Sequence, residues 1–552
     1  MIDDITPWNR FLNLLALEKK DIAQIFYYAI ISGILALSLP LGIQAIVNLI
    51  QGAQISTSWV VLVTLVTLGV ILAGVLNLMQ LRIIETIQQR IFVNSSFELS
   101  YRFPKFTMEA LRNQYPPELA NRFFDTLIIQ KGLSKVLIDV PAALLQVVFA
   151  LILLSFYNPL FIIFGLILLV AVYLVFLYTA KKGLFTSLEE SKFKYKVAHW
   201  IQEIARSIVS FKLSGKTNLA IQKNDVLVEK YLKARESHFK IIKFQYIKLI
   251  VFKALVTSGL LLIGGILVLN QKLNIGQFVA AEIIILLVIT SIEKLILGLE
   301  TLYDMLTSIE KLGSIFDIPL EPQDGETPNF DKGIFIELDT IKYEVASKSK
   351  PILENVSLNI NPKSRIIIQG ESGSGKSSLL RVLSGIIKPT SGAMIINGFA
   401  AKGVNVNHYR GHLGLSLSEE FPFEGTLREN LTYGDHSISD EEILNVLNHI
   451  GLSKFLRDLP KGLNTTLYPE GKQMSYTISK KIVLGRAIIK KPKVLILEDA
   501  LDQFSEEETQ QIIDYLSKST NPWALIVVSN NNYWKTYCNE VINLHEGVIT
   551  FK

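Results

Sequence analysis

Apolar residues run in long unbroken stretches through the first three hundred positions of this chain and in short alternating stretches thereafter. Six of the long runs, at about 22–50, 59–81, 140–157, 160–180, 246–270 and 278–299, each approach the roughly 20 residues a helix needs to cross a hydrocarbon core. The pattern predicts six transmembrane helices. Before them, Phe11, Leu12, Leu14 and Leu15 stand beside Arg10, Glu18, Lys19 and Lys20, which predicts an amphipathic helix lying at the membrane surface. Residues 1–20 hold no short apolar core followed by a small-residue cleavage site, so no signal peptide is expected.

The links between runs alternate in length and charge. Residues 51–58 and 158–159 contain neither Lys nor Arg, and 271–277 contains only Lys272. The long links, 82–139 and 181–245, are rich in both, including Lys192, Lys194, Lys196, Arg206, Lys212 and Lys216. The positive-inside rule therefore places both termini and both long links in the cytoplasm. Residues 83–109, with a kink at Pro104, and 120–137 read as helices separated by a break at 113–118, and the second link breaks at Ser214-Gly215-Lys216. About 25 helical residues, at 1.5 Å each, carry such an arm nearly 40 Å beyond the bilayer.

After residue 301 the pattern changes. A polar linker follows at 321–328, and 333–552 alternates strand-like and helix-like runs, the signature of an α/β domain with a largely parallel sheet. The expected fold class is a multi-domain membrane protein: a six-helix all-α transmembrane domain followed by an α/β P-loop nucleotide-binding domain. Its division is 1–20 for the surface helix, 21–315 for the transmembrane domain, 316–332 for the linker and 333–552 for the soluble domain. Composition agrees, since 552 residues at 49% hydrophobic are too many for one domain and too apolar for an ordinary soluble chain. The one cysteine, Cys538, excludes an internal disulfide and a Cys-rich metal site.

The clearest chemistry lies at Gly370-Glu371-Ser372-Gly373-Ser374-Gly375-Lys376-Ser377, which fits the G-x-x-x-x-G-K-[ST] pattern. Glycines let backbone N–H groups turn inward around a triphosphate, Lys376 reaches the β and γ phosphates, and the Ser377 hydroxyl binds magnesium. Arg365 to Ile368 reads as the strand entering the loop, and Ser378 onward as the helix leaving it, its positive dipole end toward the anion. ATP and Mg2+ are the expected cofactors.

Six spans, two long cytoplasmic hairpins and a C-terminal nucleotide domain resemble a half-transporter of the ATP-binding cassette (ABC) exporter family. Gly276 to Ala280, Ser308 to Phe316, Phe423 to Leu431, and Arg486-Ala487 followed by Lys491 to Leu497 are similar to family segments, the nearest being exporters of type I secretion systems. The resemblance implies a dimer in which each ATP lies between the phosphate loop of one chain and the signature loop of the other. It also implies ATP-driven switching of a transmembrane cavity from inward to outward. A second half-transporter, identical or different, is the implied partner, with a periplasmic adaptor as a further one. No nucleic-acid partner is implied. The implied location is the plasma (inner) membrane.

At most positions where the family does its chemistry, this chain departs from it. The signature Leu-Ser-Gly-Gly-Gln corresponds to Met474-Ser475-Tyr476-Thr477-Ile478, so Tyr476 and Thr477 fill space that glycines leave for a γ-phosphate, and only Ser475 keeps a useful hydroxyl. The Asp-Glu pair of magnesium ligand and general base corresponds to Glu498-Asp499, leaving Asp499 one methylene short of the water it would polarise. The magnesium-contacting glutamine corresponds to Ser418, and the switch histidine to Asn530, which hydrogen-bonds but does not titrate. The adenine-stacking aromatic falls on Val345 by strict spacing, with Tyr343 two residues earlier available on a register shift. The site expected on these grounds comprises Gly370 to Ser378 and Tyr343 for nucleotide, Ser377, Glu498 and Ser418 for metal, Asp499 and Asn530 for catalysis, and Ser475 to Thr477 for the signature. Export with weak hydrolysis is the implied activity. The alternative is a retired ATP-sensing or structural subunit of a heteromeric transporter or secretion complex.

Overall fold

The computed structural model describes residues 6–52, 57–345 and 350–551. Chain contacts divide it into two compact units, one of Met1–Pro104 with Asn113–Ile318 and one of Lys105–Arg112 with Pro319–Lys552.

The first unit is helical. Thr6 caps α1 (Pro7–Leu17), its side chain accepting from the Asn9 N–H. The first apolar run is split into α2 (Lys19–Ala36) and α3 (Ser38–Gln51). Pro40, which lacks an N–H, accounts for the break between them. α4 (Thr57–Arg102) is one helix of 46 residues, apolar at its start and polar after Arg82. Beyond it the expected helix over 83–109 does not continue. Pro104 ends it in a 3-10 turn at Phe103–Lys105, and only a single turn, α5 (Met108–Leu111), follows. The expected helix over 120–137 is likewise divided, into α6 (Pro116–Asn121), a 3-10 turn, α7 (Asp125–Ser134) and a π segment at Lys135–Asp139.

The third run forms α8 (Val140–Tyr157) with the bounds its composition implies, closed by Asn158, whose side chain accepts from the Leu160 N–H. α9 (Leu160–Arg206), the short α10 (Ile208–Leu213) and α11 (Leu219–Leu269) make the second hairpin, with Gly215 at φ +67° in its turn. α12 (Ile275–Phe316) starts in a reciprocal capping box between Asn274 and Gln277. Among the described residues, five helical stretches are long and apolar enough to cross a bilayer: Lys19–Gln51, Thr57–Lys105, Pro116–Tyr157, Leu219–Leu269 and Ile275–Phe316. The run at 160–180 lies in α9, a continuous 47-residue helix that is not among the five.

Apolar faces of α8, α11 and α12 pack together through Val147, Ala150, Leu249, Val256, Ile284 and Val288. Lipid offers no hydrophobic contrast, so buried polar pairs add specificity to this packing. Gln245 of α11 donates to Thr179 of α9 at 2.8 Å and to the Tyr303 hydroxyl of α12 at 3.1 Å, and Ser291 of α12 donates to Gln146 of α8 at 2.9 Å.

Among the described residues, the second unit holds twelve strands. β1 (Ile336–Tyr343), β2 (Leu353–Ile360), β4 (Ser391–Ile396) and β5 (Phe399–Ala400) form an antiparallel sheet in the order β2-β1-β4-β5. β3 (Arg365–Gln369), β6 (Leu413–Ser416), β9 (Val494–Glu498), β10 (Ala524–Val528), β11 (Glu540–His545) and β12 (Val548–Phe551) form the main sheet, ordered β12-β11-β3-β10-β9-β6 and parallel except for β12. β7 (Gly425–Thr426) pairs with β8 (Thr466–Leu467). The helices are α13 (Lys376–Leu383), α14 (Val406–Gly411), α15 (Leu427–Thr432), α16 (Asp440–His449), α17 (Ser453–Asp458), α18 (Tyr476–Ile489) and α19 (Glu506–Leu516). The residues of β9 and β10 are buried throughout, as a parallel sheet covered on both faces requires.

Residues 105–112, which follow α4 in the chain, are built into this second unit by backbone pairing. Phe106 bridges Leu320, the Thr107 N–H donates to the Pro319 carbonyl at 3.1 Å, and the Glu321 N–H donates to the Lys105 carbonyl at 2.7 Å. The Lys388 N–H adds a bond to the Glu109 carboxylate at 3.0 Å.

Within the first unit, Lys253 of α11 donates to Glu293 of α12 at 2.7 Å. Glu293→Gln leaves an ammonium without its counter-charge at membrane depth, and an expected loss of about 1–2 kcal/mol follows. The expected result is a melting temperature lower by a few degrees in lipid, largely recovered when Lys253→Met is added. A single variant that melts like the wild type contradicts a structural role for the pair.

Candidate functional site

Parallel register brings the site together. Val528 of β10 lies opposite Ile368 of β3 on one side and Glu498 of β9 on the other, so the loops leaving these three strands emerge side by side. Such a row of strand C-terminal ends is where open α/β sheets bind ligands.

The loop after β3 closes on itself through glycine. Gly370, Gly373 and Gly375 have φ of +154°, +85° and +103°. A Cβ on Gly370 would stand 2.2 Å from the Leu544 carbonyl oxygen, and one on Gly375 would stand 2.7 Å from that of Ile352. No other residue fits either position. Gly375 is the N-cap of α13, so Lys376 and Ser377 are its first two residues and their N–H groups belong to the helix's positive end. Lys376 Nζ donates to the carbonyls of Gly370 and Glu371, each at 2.8 Å, across the mouth of the loop. The Ser374 hydroxyl is buried without a hydrogen-bond partner among the described residues. A glycine-rich turn, a helix start, an ammonium and an unsatisfied hydroxyl together fit an oligophosphate.

Glu498 ends β9 almost wholly buried, and its Oε2 accepts from both the N–H and the hydroxyl of Ser418, each at 3.1 Å. Asp499 follows in the left-handed region, φ +46°, with its N–H bound to the Val528 carbonyl at 2.9 Å. Asp499 is exposed. Partial desolvation, chiefly, and the charges of Asp502 and Glu498 push its pKa up to about 6, against the opposing pull of Lys376. Asn530 is exposed just beyond β10, and the preceding Ser529 donates to Asp502 at 3.2 Å.

The residues expected at a signature loop stand at the start of α18. Ser475 is its N-cap, and its hydroxyl accepts from the Ile478 N–H at 3.2 Å. Tyr476 packs edge-on against Phe421 with ring centres 6.3 Å apart, and Thr477 is the next residue of the helix. Ser475 and Tyr476 are both exposed, and the Ser475 hydroxyl keeps its own proton to donate.

Tyr343 stands apart, at the end of β1 in the antiparallel sheet. The register of β1 against β2 does shift, once before Ile341 and once after it. Even so, Tyr343 is 7% exposed and its hydroxyl accepts from Arg112 Nη2 at 2.7 Å, so the ring is packed in the core and does not stand as an open stacking face. Val345 is partly buried on the same core.

Lys480 was not legible in the sequence. Lys480, in the first turns of α18, is 2% exposed and donates to the carbonyls of Ser418 at 2.5 Å and Glu420 at 3.0 Å. Its signal is the run 479–489, in which every residue is buried.

Lys376→Ala is expected to weaken nucleoside triphosphate binding by about tenfold or more, since charge-assisted bonds to phosphate are among the stronger polar contacts; calorimetry with the purified chain measures this, and unchanged affinity contradicts the assignment. Asp499 generates a pH prediction. Its native pKa lies above the unfolded value of about 4, so the stability it contributes is complete below that pH and is lost as pH rises through about 6. Asp499→Asn removes this loss. Its melting temperature relative to the wild type should therefore rise between pH 5 and pH 7.5, and a flat or falling difference contradicts the raised pKa.

Comparison with known proteins agrees with this architecture. Residues 22–292 match the ABC transporter transmembrane region and residues 353–502 match the ABC transporter family. The chain is similar to the alpha-hemolysin translocation ATP-binding protein HlyB of Escherichia coli O157:H7, 26% identical over 55% of this chain and 43% of that protein. It is also similar to the ATP-dependent lipid A-core flippase of Xylella fastidiosa, 27% identical over 52% of this chain and 49% of that protein. The matched parts thus span less than half the length of these curated relatives. A solved bacterial Atm1-family ABC exporter with ATP bound shares the fold, with a TM-score of 0.86 at 15% identity over 97% of this chain and 95% of that one. With a transmembrane and a nucleotide-binding region of one family on one polypeptide, covering about three quarters of its length, this chain belongs to the ABC transporters.

Proposed function

We propose that the chain is one half of a dimeric ATP-driven exporter in the plasma (inner) membrane, with cytoplasmic termini, and that it hydrolyses ATP slowly. The observation that carries this reading is the phosphate loop, where carbonyls of Leu544 and Ile352 enforce glycine and Lys376 spans the mouth. ATP would lie with its phosphates along Gly370 to Ser378, and magnesium, when bound, would sit at Ser377 and supply charge neutralisation of the transferred phosphoryl group.

Slow hydrolysis follows from this chain's own residues. Asp499 is the shorter carboxylate and leaves β9 in a left-handed conformation, so it is displaced from the reach a glutamate would have toward an attacking water. An ångström-scale displacement costs on the order of a hundredfold. Asn530 adds a hydrogen-bonding group without a titrating one. In a homodimer both sites inherit these features and the altered signature. In a heterodimer one site would take its signature from this chain and the other its Asp499 and Asn530. The transported substrate and any periplasmic adaptor are not specified by these residues.

A second reading has its own support. Tyr476 and Thr477 put side chains on the first turn of α18, Tyr476 packing on Phe421, and these narrow the approach of a partner's γ-phosphate to that turn. On that reading the chain binds ATP as a stabilising ligand without turnover. ATPase assays of the chain in lipid distinguish the two. Slow phosphate release that vanishes in Lys376→Ala is the expected result, and binding with no release above that variant overturns the exporter reading in favour of the second.

A further inference from the structure

Glu498 would be the carboxylate that orders a magnesium shell, yet the loop after β6 already engages it. Its Oε2 accepts two hydrogen bonds from a single residue, Ser418, through both backbone and side chain. Both donors meet a carboxylate oxygen at 3.1 Å, and a metal approaching that oxygen has to displace them.

Behind Ser418 stands a cation. Lys480 reaches across from α18, donates to the Ser418 and Glu420 carbonyls, and lies 4.6 Å from the Phe421 ring centre and 5.4 Å from that of Tyr476. Such rings attract an ammonium through their negative faces. Burial draws the Lys480 pKa below the usual lysine range, while the charges of Glu420 and Glu498 act in the opposite direction. The carboxylate of Glu498 therefore has two donors on one oxygen and a fixed protein ammonium in its field. The order of parts is a lysine from the signature helix, a serine from the loop after β6, and a glutamate from β9, each held by the next.

We propose that Lys480, acting through Ser418, is a positioning residue that takes over from magnesium the neutralisation of Glu498, so that this chain binds ATP with an affinity nearly independent of divalent cation. The inference rests on the reading of Gly370 to Ser378 as the ATP site. Phosphate charge is met by Lys376, the loop amides and the α13 terminus, none of which involves Glu498. Glutamine at position 480 keeps a donor for the carbonyls but removes the charge, and alanine at 418 removes one of the two donors to Glu498. Either change frees the carboxylate for metal.

The test uses the full chain in lipid nanodiscs, titrated with ATP by calorimetry in excess magnesium and again in EDTA. Wild-type dissociation constants are expected to differ by less than about threefold between the two buffers, whereas Lys480→Gln and Ser418→Ala are expected to bind ATP about tenfold tighter with magnesium than without. Thermal melts in the same buffers identify a variant that has failed to fold, and Ser418→Ala, the milder change, then decides the matter. A wild-type protein that loses about tenfold or more in EDTA, or variants that keep the wild-type ratio, overturns the role of Lys480 and leaves the ATP site standing. A wild-type protein that binds ATP in neither buffer overturns the site and this inference together.

Discussion

A loop that wraps a triphosphate with its own amides has to bring backbone within contact distance of backbone, and the rest of the soluble unit follows from that requirement. Gly370 lies under the Leu544 carbonyl at the end of β11, and Gly375 lies under the Ile352 carbonyl just before β2. The cradle is therefore closed from two separate sheets, and it exists only when both have formed around β3. The Gly547 N–H, bonded to the Ser374 carbonyl at 3.0 Å, ties the β11–β12 turn into the same closure. The parallel order β11-β3-β10-β9-β6 then delivers Glu498, Asp499, Ser529 and Ser418 to one edge without any of them being near the loop in sequence.

A different constraint shapes the helical unit. Backbone polar groups in hydrocarbon have to be satisfied within the segment, which favours long uninterrupted helices such as α4, α9, α11 and α12. Breaks occur where the chain carries proline or leaves the apolar composition behind, at Leu37, Phe103 and Asn158. Polar groups that remain inside the bundle are paired across helices, as in Gln245 with Thr179 and Tyr303, or Lys253 with Glu293. The soluble unit claims residues 105–112 because their backbone groups are completed by Pro319, Leu320 and Glu321.

Local chemistry made much of this legible from residues alone. An apolar run bounded by Pro141 and Asn158-Pro159 has little choice but to be one helix, and α8 has the predicted limits. The glycine pattern at 370–375 announced a cradle because glycine's tolerance of positive φ is a property of the residue itself. What stayed hidden depended on partners far away in sequence. Arg102 ends α4 because of Pro104, but the incorporation of residues 105–112 into the second unit depends on Leu320, more than two hundred positions on. Tyr343 looked like a stacking face until β1 bent and Arg112 reached its hydroxyl. The burial of Lys480 likewise depends on distant residues, the Ser418 and Glu420 carbonyls that its ammonium meets.

The central claim is that a triphosphate settles into the glycine-lined loop and that its binding is felt by the membrane-spanning helices. Hydrogen exchange of the full chain in a lipid bilayer, with and without ATP, tests both halves at once. Exchange should slow across residues 370–378, where amides turn onto phosphate, and should change at the second hairpin tip around residues 207–218. Identical exchange in both regions, with and without nucleotide, would contradict the account.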